Sequence, residues 1–415
     1  MADLSFNGVN LAKLKPRLAV VSPFLNKSYG TERIVVEWIA RLAGDFDIHV
    51  YAQQVADVDL SQITWHRVSR LSGPHLLGFA WWFVANHLRR AWDRRVRGLH
   101  YDIVFSPGAN CLDADAVSLH IVFAELLRRV RDELKFSRNP VSTWLRLLHR
   151  RLYYRLAIFL ERRVYTNPRI QLILTSARTA GELDRFYGRK GPFPVVIAGL
   201  DHAAFNPERR AALRAEARRK LAVPEERFAL LLIGNDWRKK GLPVLLDALA
   251  ELRDLPLRLL VVTRESDPAL EAIVRERSLT SAVSFLPPRK DVEFYYAAAD
   301  AYVGPSLEDT FALPGVEAMA CGLPVIISSR AGASEVVTGG ADGLILDDPT
   351  DAAELSRLIR RLATDAAFCR RLGEQANLTA KQFTWERNGH EVAAVFEEIL
   401  RRKAPSTPHS VAQET

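Results

Sequence analysis

Residues 306–324 place carboxylates beside the expected start of a helix. An apolar run before them predicts a strand, and the helix expected at about residues 313–321 ends at Gly322. Asp309 and Glu317 lie eight residues apart around this helix start. Backbone N–H groups at a helix N-terminus lack intrahelical partners and favour phosphate, while carboxylates accept hydrogen bonds from sugar hydroxyls. The pattern predicts a nucleotide-sugar site; the alternative is that these acids only cap the helix.

A second candidate site is the turn at residues 234–241, which reads Gly-Asn-Asp-Trp-Arg-Lys-Lys-Gly. It lies between a predicted strand and a predicted helix, at the carboxyl end of the strand, where α/β sheets bind ligands. Backbone amides from Gly234 onward, with Arg238 and Lys240, suit a diphosphate because both side chains can neutralise a departing pyrophosphate. The alternative is an ordinary solvated basic turn.

Strand and helix patterns alternate along the chain, and this alternation predicts two doubly wound α/β domains with parallel sheets. A chain of 415 residues is also long enough for two domains. The Gly- and Pro-rich stretch at 188–207 places the boundary, giving an N-terminal domain at 1–198 and a C-terminal domain at 199–384. A closing helix is expected at 385–402 and a disordered tail at 403–415.

The first domain contributes two further candidates, Gly30 and His120. Gly30 follows a polar loop and begins a helix with apolar residues on one face, so that its backbone can approach a ligand. His120 ends a predicted strand, where parallel sheets place ligand-binding groups. The alternatives are that Gly30 is an ordinary turn residue and that His120 is satisfied within the fold.

The positive charge is concentrated in the first half of the chain. Residues 1–200 hold 29 Lys and Arg against 17 Asp and Glu, or +12, whereas the remainder holds 28 against 32, or −4. The window 128–163 alone holds 11 basic and 3 acidic residues. It also carries apolar residues at helical spacing that form a stripe along one face: Val141, Trp144, Leu145, Leu148, Leu152, Leu156, Phe159 and Leu160. Arg146, Arg150, Arg155 and Arg162 lie off this stripe. Such a helix either packs on the domain core or lies on anionic lipid.

Cysteine spacing and the length of the apolar runs indicate the cellular compartment in which the protein is expected. The three cysteines have neither metal-site nor disulfide spacing. The N-terminus lacks the apolar core of a signal peptide, and no apolar run reaches the roughly 18 residues of a spanning helix. We therefore expect a soluble cytoplasmic protein, and the basic helix adds a peripheral position on the inner face of the cell membrane. No nucleic-acid partner is expected, because no nucleic-acid-binding motif accompanies the charge.

Together these segments resemble the retaining glycosyltransferases of family 4, which have the GT-B fold of two Rossmann-like domains facing across a cleft. The resemblance covers almost the whole chain and is most specific in residues 234–241, 295–324, 331–335 and 342–344. The helix that begins near Trp385 is similar to the family's closing helix, which crosses back to the first domain. Within the family the chain looks nearest to lipopolysaccharide-core and other cell-envelope sugar transferases.

The resemblance implies that the first domain binds the acceptor and the second binds the nucleotide sugar. It also implies roles for the candidate residues. Arg238 and Lys240 would bind the diphosphate, and Glu317 the ribose hydroxyls. Asp309 would bind donor-sugar hydroxyls near the anomeric carbon, and His120 would face the same sugar. The first domain would add Gly30, close to the phosphate or the acceptor. The remaining donor-binding residues would be Gly234, Glu308, Thr310, Phe311, Ala312 and Leu313.

Three positions depart from the family pattern. Asp309 takes the place of the first glutamate in the family's acidic pair and follows Glu308, so either carboxylate is a candidate for the sugar. Asn235 replaces the usual arginine of the phosphate turn, which leaves the phosphate charge to the basic residues that follow. Tyr29 stands beside Gly30 where the family has a glycine pair.

The expected function is transfer of a sugar, with retention, from a nucleotide diphospho-sugar to a glycan or lipid-linked acceptor of the cell envelope. The resemblance implies that no metal or other cofactor takes part. The acceptor hydroxyl would attack from the face that the diphosphate leaves, and the leaving phosphate would take its proton. Two alternatives remain: another enzyme of this architecture, such as a sugar-nucleotide epimerase or a phosphorylase, and a non-catalytic basic module that binds membrane or nucleic acid.

Overall fold

The computed structural model of the chain describes residues 15–27, 30–131, 134–138, 140–264 and 268–404. Contacts divide it into two units. The first unit extends to Ile173 and includes Leu183–Pro194 and the chain from Gly389, while the second comprises Leu174–Glu182 and Val195–Asn388. Tyr29, which stands beside Gly30 in the sequence, and residues 405–415 of the expected tail lie outside the described residues.

The first half of the chain forms a six-stranded sheet in the order β5-β3-β1-β6-β7-β8, with a two-stranded β2-β4 pair beside it. Its strands are short apolar runs, and β1 is buried on both faces, as parallel sheets covered by helices require. The strands are β1 (Arg17–Val21), β2 (Phe24–Leu25), β3 (Asp47–Ala52), β4 (Gln54–Val55), β5 (Ile63–Arg67), β6 (Ile103–Pro107), β7 (Ala116–Leu119) and β8 (Gln171–Leu174).

The α-helices of the described residues in this half are α1 (Gly30–Leu42), α2 (His75–Arg97), α3 (Phe123–Val130), α4 (Trp144–Tyr165) and α5 (Thr179–Tyr187). Helix α1 buries the apolar face that its periodicity predicts, including Trp38 and Leu42. Helix α4 does not follow its predicted stripe in the same way. Most of that stripe is exposed and its member Leu160 is buried; the other buried side chains of α4 lie off the stripe: Leu147, Tyr154, Ala157, Glu161, Val164 and Tyr165.

The second half forms another six-stranded sheet, in the order β11-β10-β9-β12-β13-β14. All its strand pairs are parallel. The strands are β9 (Phe228–Ile233), β10 (Leu257–Val262), β11 (Val283–Leu286), β12 (Ala301–Gly304), β13 (Val325–Ser328) and β14 (Leu344–Leu346). Numbered within each sheet, the strands of both sheets stand in the order 3-2-1-4-5-6. The direction in which strands are added therefore reverses between the first and fourth strands, which are neighbours in the sheet. Such reversal points are where open α/β sheets bind ligands.

Where the second half is described, its α-helices are α6 (Pro207–Lys220), α7 (Leu242–Ala250), α8 (Pro268–Glu276), α9 (Glu293–Ala298), α10 (Leu313–Ala320), α11 (Ala352–Thr364), α12 (Ala366–Ala380) and α13 (Trp385–Lys403). The sequence analysis did not predict α6. This helix carries no apolar stripe and is held instead by buried Arg218, which pairs with Asp300 at 3.1 Å and donates to the Arg227 carbonyl at 2.7 Å. The expected closing helix is α13; its first residues belong to the second unit and the rest to the first.

Candidate active site

The loops that follow β9 and β12, at the reversal point of the second sheet, form the candidate site. The first loop is the predicted phosphate turn, and the second leads into α10. A hydrogen bond of 2.7 Å from the Leu307 N–H to the Lys239 carbonyl joins them. Gly241 closes the turn with a φ of 75°, and a Cβ at this position would collide with the Pro305 carbonyl. The close approach of the two loops therefore requires glycine at position 241.

Lys240 and Asp309 form an ion pair across these two loops. Both side chains are largely buried, with exposed fractions of 20% and 16%. The lysine stem lies on Gly234, where a Cβ would stand 2.5 Å from the lysine Cε. Gly234 thus gives the lysine its path to the carboxylate. Two residues that the sequence analysis assigned to separate parts of the donor site are in direct contact.

The Asp309 carboxylate also accepts backbone N–H groups at the start of α10. Its Oδ1 lies 2.9 Å from the Ala312 nitrogen and 3.4 Å from the Phe311 nitrogen. Ala312, which directly precedes the helix, has a left-handed φ of 66°. We expected amides here to be available to phosphate, but these two donate to Asp309, because an aspartate readily closes a turn on the backbone just after it.

Glu317 lies in the second turn of α10 and is 4% exposed. The Tyr296 hydroxyl on α9 donates to its Oε2 at 2.8 Å and lies 3.2 Å from the Pro314 carbonyl. Burial first, and then the charge of Glu317, raise the Tyr296 pKa well above its usual 10. The tyrosine therefore stays protonated and fixes one oxygen of the buried carboxylate.

A third segment, which contains Gly332 and Glu335, supports the loop that carries Asp309. The Gly332 N–H donates to the Asp309 carbonyl at 3.0 Å. The Glu335 carboxylate accepts from the Ser176 hydroxyl at 2.7 Å and from the next two backbone N–H groups at 2.8 and 2.7 Å. Residues 331–335 therefore tie the segment before α5 to the loop that carries Asp309.

The other predicted donor-site residues border this arrangement. Arg238 is exposed, with its guanidinium 3.9 Å from the centre of the Trp237 ring. Asn235 accepts the Arg264 N–H through its side-chain oxygen at 3.2 Å. Glu308 is half-buried and precedes Asp309. Thr310 and Leu313 flank the Phe311–Ala312 turn and are half-buried.

The first unit has a cavity of about 510 Å³ at the reversal point of its own sheet. Residues directly after β1 and β6 line it, as do parts of α1, α2 and α4. Its wall combines apolar and aromatic side chains with polar and charged ones, which include Glu32, Arg70, Asn110, His120 and Glu161. Concave sites in which polar groups stand among apolar side chains are typical of ligand sites.

His120 lines this cavity, and its Nε2 lies 2.9 Å from the Ser118 hydroxyl. Burial lowers the His120 pKa to about 4, so the imidazole is neutral near pH 7. Burial also raises the pKa of Glu32, another lining residue. Gly30 begins α1 just before this residue, but within the described part of the chain a Cβ at Gly30 would meet open space. The fold therefore leaves space at Gly30, and the close approach of its backbone to a ligand stays a prediction.

The structure thus brings Gly234, Lys240, Asp309 and Glu317 together in the second unit and places Gly30 and His120 in the first. Among the described residues, no group of three or more His, Cys, Asp or Glu side chains is arranged to hold a metal ion. Nor does any helix in the described ranges have the length and apolarity needed to cross a membrane.

The sequence of the second unit matches a known family model. Residues 214–379, which contain the candidate site of the second unit except the Ser176 segment, match the model for group 1 glycosyl transferases. This part of the chain is similar to that family. Curated relatives include the D-inositol 3-phosphate glycosyltransferases of Corynebacterium urealyticum and Stackebrandtia nassauensis. The first is 28% identical over 60% of this chain and 62% of its own length, and the second 31% identical over 57% and 56%. The chain therefore spans less than two thirds of the relatives that it matches.

Solved structures of glycosyltransferases share the fold over nearly the whole chain. The lipopolysaccharide-biosynthesis glycosyltransferase WaaG superimposes with a TM-score of 0.75 at 18% identity, covering 91% of this chain and 99% of that protein. Sucrose-phosphate synthase from Thermosynechococcus elongatus gives 0.72 at 20% identity, covering 94% and 100%. Anabaena HepE, solved with UDP-glucose, gives 0.68 at 18% identity, covering 92% and 99%. The predicted GT-B fold, with two Rossmann-like units, is confirmed.

Sequence reasoning missed the residues that hold the site together. Tyr296 and Glu335 both lie inside segments that carried the family resemblance, yet neither received a role. Their partners, Glu317 and Ser176, are distant in the sequence, so periodicity and spacing contain no signal for either contact. The polar cavity residues Glu32 and Glu161 were missed for the same reason.

Proposed function

We propose that the chain transfers a sugar, with retention of configuration, from a nucleotide diphospho-sugar to a glycan or lipid-linked acceptor. The observation that supports this most directly is the contact between Lys240 and Asp309 at the reversal point of a group 1 glycosyltransferase sheet. One side chain suits a diphosphate and the other suits sugar hydroxyls. Buried Glu317, on the helix that follows, supplies a carboxylate for the ribose.

On donor binding, the donor phosphates would replace Asp309 as the ion-pair partner of Lys240. In the structure described here its ammonium is neutralised by Asp309. A diphosphate carries more negative charge than one carboxylate, so the lysine would move to the phosphates together with Arg238. Asp309 would then accept hydrogen bonds from the donor sugar, and its bonds from the Phe311 and Ala312 amides would hold it in place. This favours Asp309 over Glu308 as the sugar-binding carboxylate.

The transfer step needs one bond broken and one formed. The bond from the anomeric carbon to the phosphate oxygen breaks, and a bond to the acceptor oxygen forms on the same face. The acceptor proton passes to the leaving phosphate, and the products are a glycoside and a nucleoside diphosphate. Lys240 and Arg238 would stabilise the charge that develops on the phosphate. No metal is needed in this scheme, and transfer is expected to persist when divalent cations are chelated.

The cavity of the first unit is the proposed acceptor site. Aromatic rings such as Phe79 and Tyr153 suit the apolar faces of sugar rings, and Glu32 and Asn110 suit their hydroxyls. His120 would serve as a neutral hydrogen-bonding group, because its lowered pKa leaves it uncharged near pH 7. Curated relatives are named for inositol phosphate and WaaG for lipopolysaccharide, so phosphorylated and cell-envelope acceptors are the first to test.

We also propose a cytoplasmic location, peripheral on the inner face of the membrane through residues 128–163. The balance of 11 basic against 3 acidic residues in that window supports it. Lipid-linked acceptors would be available at this surface.

A nucleotide-sugar screen tests the function. Each donor would be incubated with and without inositol phosphates and envelope glycolipids, and free nucleoside diphosphate would be measured. UDP-glucose is the natural first donor, since HepE was solved with it. Acceptor-dependent release supports a transferase. Interconversion of the donor sugar without release indicates an epimerase, and sugar-phosphate formation from a glycan and phosphate indicates a phosphorylase; either outcome would reject the proposal.

A further inference from the structure

Helix α2 presents a row of large apolar side chains to solvent. The row recurs at steps of three or four residues and so lies along one face of the helix: Leu77, Trp81, Val84, Leu88, Trp92 and Val96. Exposed fractions in this row run from 38% at Trp81 to 63% at Val96. A continuous apolar row on a 23-residue helix is far more than the scattered exposed residues of an ordinary surface.

Directional bonds on the opposite face of α2 fix this orientation. Asp93 is fully buried and accepts from the Tyr51 hydroxyl at 2.8 Å, with the His66 Nδ1 at 3.0 Å. Arg90 is 3% exposed and forms two bonds to Asp113, at 2.6 and 2.8 Å. A rotation of the helix that buried its apolar row would break these bonds and leave buried charges unpaired. The fold therefore holds the polar face inward and the apolar face outward.

Helix α4 adds a second exposed apolar row beside α2. Its members are most of the stripe identified in the sequence: Val141 just before the helix, then Leu145, Leu148, Leu152 and Phe159. The two helices are in contact, since the Leu76 N–H donates to His149 at 3.2 Å and the His75 and Tyr153 rings lie 4.6 Å apart. The outer faces of α2 and α4 thus belong to one part of the first unit.

The charged side chains that these two helices expose are all basic. Their sequences contain eleven arginines, five in α2 and six in α4, and all except Arg90 are exposed or half-buried. Each helix has one acidic residue, Asp93 and Glu161, and both are buried. Since the structure describes both helices in full, neither exposes a carboxylate. Arg155 lies three residues after Leu152 and four before Phe159, so by spacing it belongs to the apolar row itself rather than off the stripe.

We infer that the outer faces of α2 and α4 form one membrane-docking surface that inserts its apolar rows into the interface of an anionic lipid bilayer. Apolar side chains would enter the acyl boundary while arginines contact lipid phosphates. Trp92 fits this role, because it stacks against Arg89 and Arg97, with ring-to-guanidinium distances of 5.1 and 4.9 Å. A second copy of the chain is a poor occupant, since it would set arginines against arginines.

The two helices that carry this surface also line the proposed acceptor site with their inner faces. His75, Phe79 and Trp82 of α2 and Tyr153 and Leu160 of α4 all face it. A lipid-linked acceptor anchored in the docked bilayer would then have its glycan next to the cavity wall. In this respect the inference rests on the proposed function, but lipid binding can be measured without donor or acceptor.

Vesicle flotation tests the surface. The full chain would be mixed at low salt with vesicles of 30% phosphatidylglycerol in phosphatidylcholine, or of phosphatidylcholine alone. We expect binding to the anionic vesicles only. Leu88→Ser should weaken it at least about tenfold, from the loss of one buried leucine. Leu378→Ser, which alters an equally exposed leucine on α12, should leave it unchanged.

A charge test uses the same assay. Arg94→Glu with Arg95→Glu on α2 should reduce binding by about 100-fold, since each basic residue at a membrane surface contributes about 1 kcal/mol. Arg370→Glu with Arg371→Glu on α12 makes the same charge change elsewhere and should have a much smaller effect. Thermal unfolding confirms that the variants fold. Failure of the unaltered chain to float, equal effects of both pairs, or concentration-dependent self-association that Leu88→Ser abolishes would overturn the inference. Transfer to a soluble acceptor, measured separately, is expected to survive in the α2 variants.

Discussion

The Tyr296 hydroxyl holds the Glu317 carboxylate at 2.8 Å and joins α9 to α10 inside the second unit. Because burial and the charge of Glu317 raise the tyrosine pKa well above 10, the hydroxyl keeps its proton and can donate it to the carboxylate. Tyr296→Phe leaves the carboxylate one donor short in a buried position. We expect a loss of about 1 to 3 kcal/mol in the free energy of unfolding.

The same substitution should also weaken nucleotide binding, because Glu317 would lose its orientation toward the ribose. Tyr295→Phe is the matched control. Tyr295 is equally buried, but its hydroxyl donates to the Pro287 carbonyl, away from Glu317. Calorimetric titration with nucleoside diphosphates should show reduced affinity for Tyr296→Phe alone. Equal affinities in the two variants would remove the proposed ribose role from Glu317.

Gly241 tests the contact between the two site loops. Gly241→Ala places a Cβ against the Pro305 carbonyl at a left-handed φ of 75°. We expect it to destabilise the fold by about 3 kcal/mol or more, since strain and collision add. Gly340→Ala separates the two effects, because Gly340 has a φ of 81° with no described neighbour within 4 Å of its Cβ position. Its cost should be near 1 kcal/mol. Comparable unfolding midpoints in denaturant would show that the loops do not meet at Pro305.

The sequence predicted most of the elements because apolar periodicity is a local property. Both sheets follow from strand and helix alternation, and α1 buries the face that its pattern marks. Helix α6 escaped prediction because it is anchored by Arg218 rather than by an apolar stripe. Helix α4, in contrast, has an apolar stripe but leaves most of it exposed. Periodicity located its stripe correctly, but only the tertiary contacts decide that the residues beside it, such as Leu147 and Tyr154, face inward.

The same distinction applies to the candidate site. Lys240 and Asp309 could each be named from their loops, since each follows a strand. Their contact, and the turn that Asp309 makes with the Ala312 amide, depend on which strands are neighbours in the sheet. No pattern near Tyr296 in the sequence identifies it as the hydrogen-bond partner of Glu317. Residue types and spacing therefore identified the chemistry, and the tertiary structure supplied the supporting contacts.

The lowered His120 pKa predicts a pH dependence of stability. The folded value is about 4 and the ordinary value 6.5, so between these limits the unfolded chain binds more protons than the folded one. The free energy of unfolding should therefore fall as pH decreases from 6.5 to 4, by up to about 3 kcal/mol from this residue, and level off below.

His120→Asn should flatten that part of the profile, and His100→Asn, at an exposed position, should not. Denaturant unfolding at half-unit pH steps provides the comparison. Burial also lowers the His66 pKa to about 4, so some slope is expected to persist in the His120 variant. An unchanged slope would mean that His120 is not held neutral inside the cavity.

The role of Lys240 is the central claim, and one comparison tests it. Lys240→Ala removes the proposed phosphate ligand, whereas Lys239→Ala removes a neighbouring lysine that pairs with Asp236 at 3.3 Å. Acceptor-dependent release of nucleoside diphosphate would be measured for both variants at saturating donor, with unfolding midpoints to confirm the fold. We predict that turnover falls about 100-fold or more in Lys240→Ala and changes little in Lys239→Ala. Near-normal turnover in folded Lys240→Ala would contradict the account.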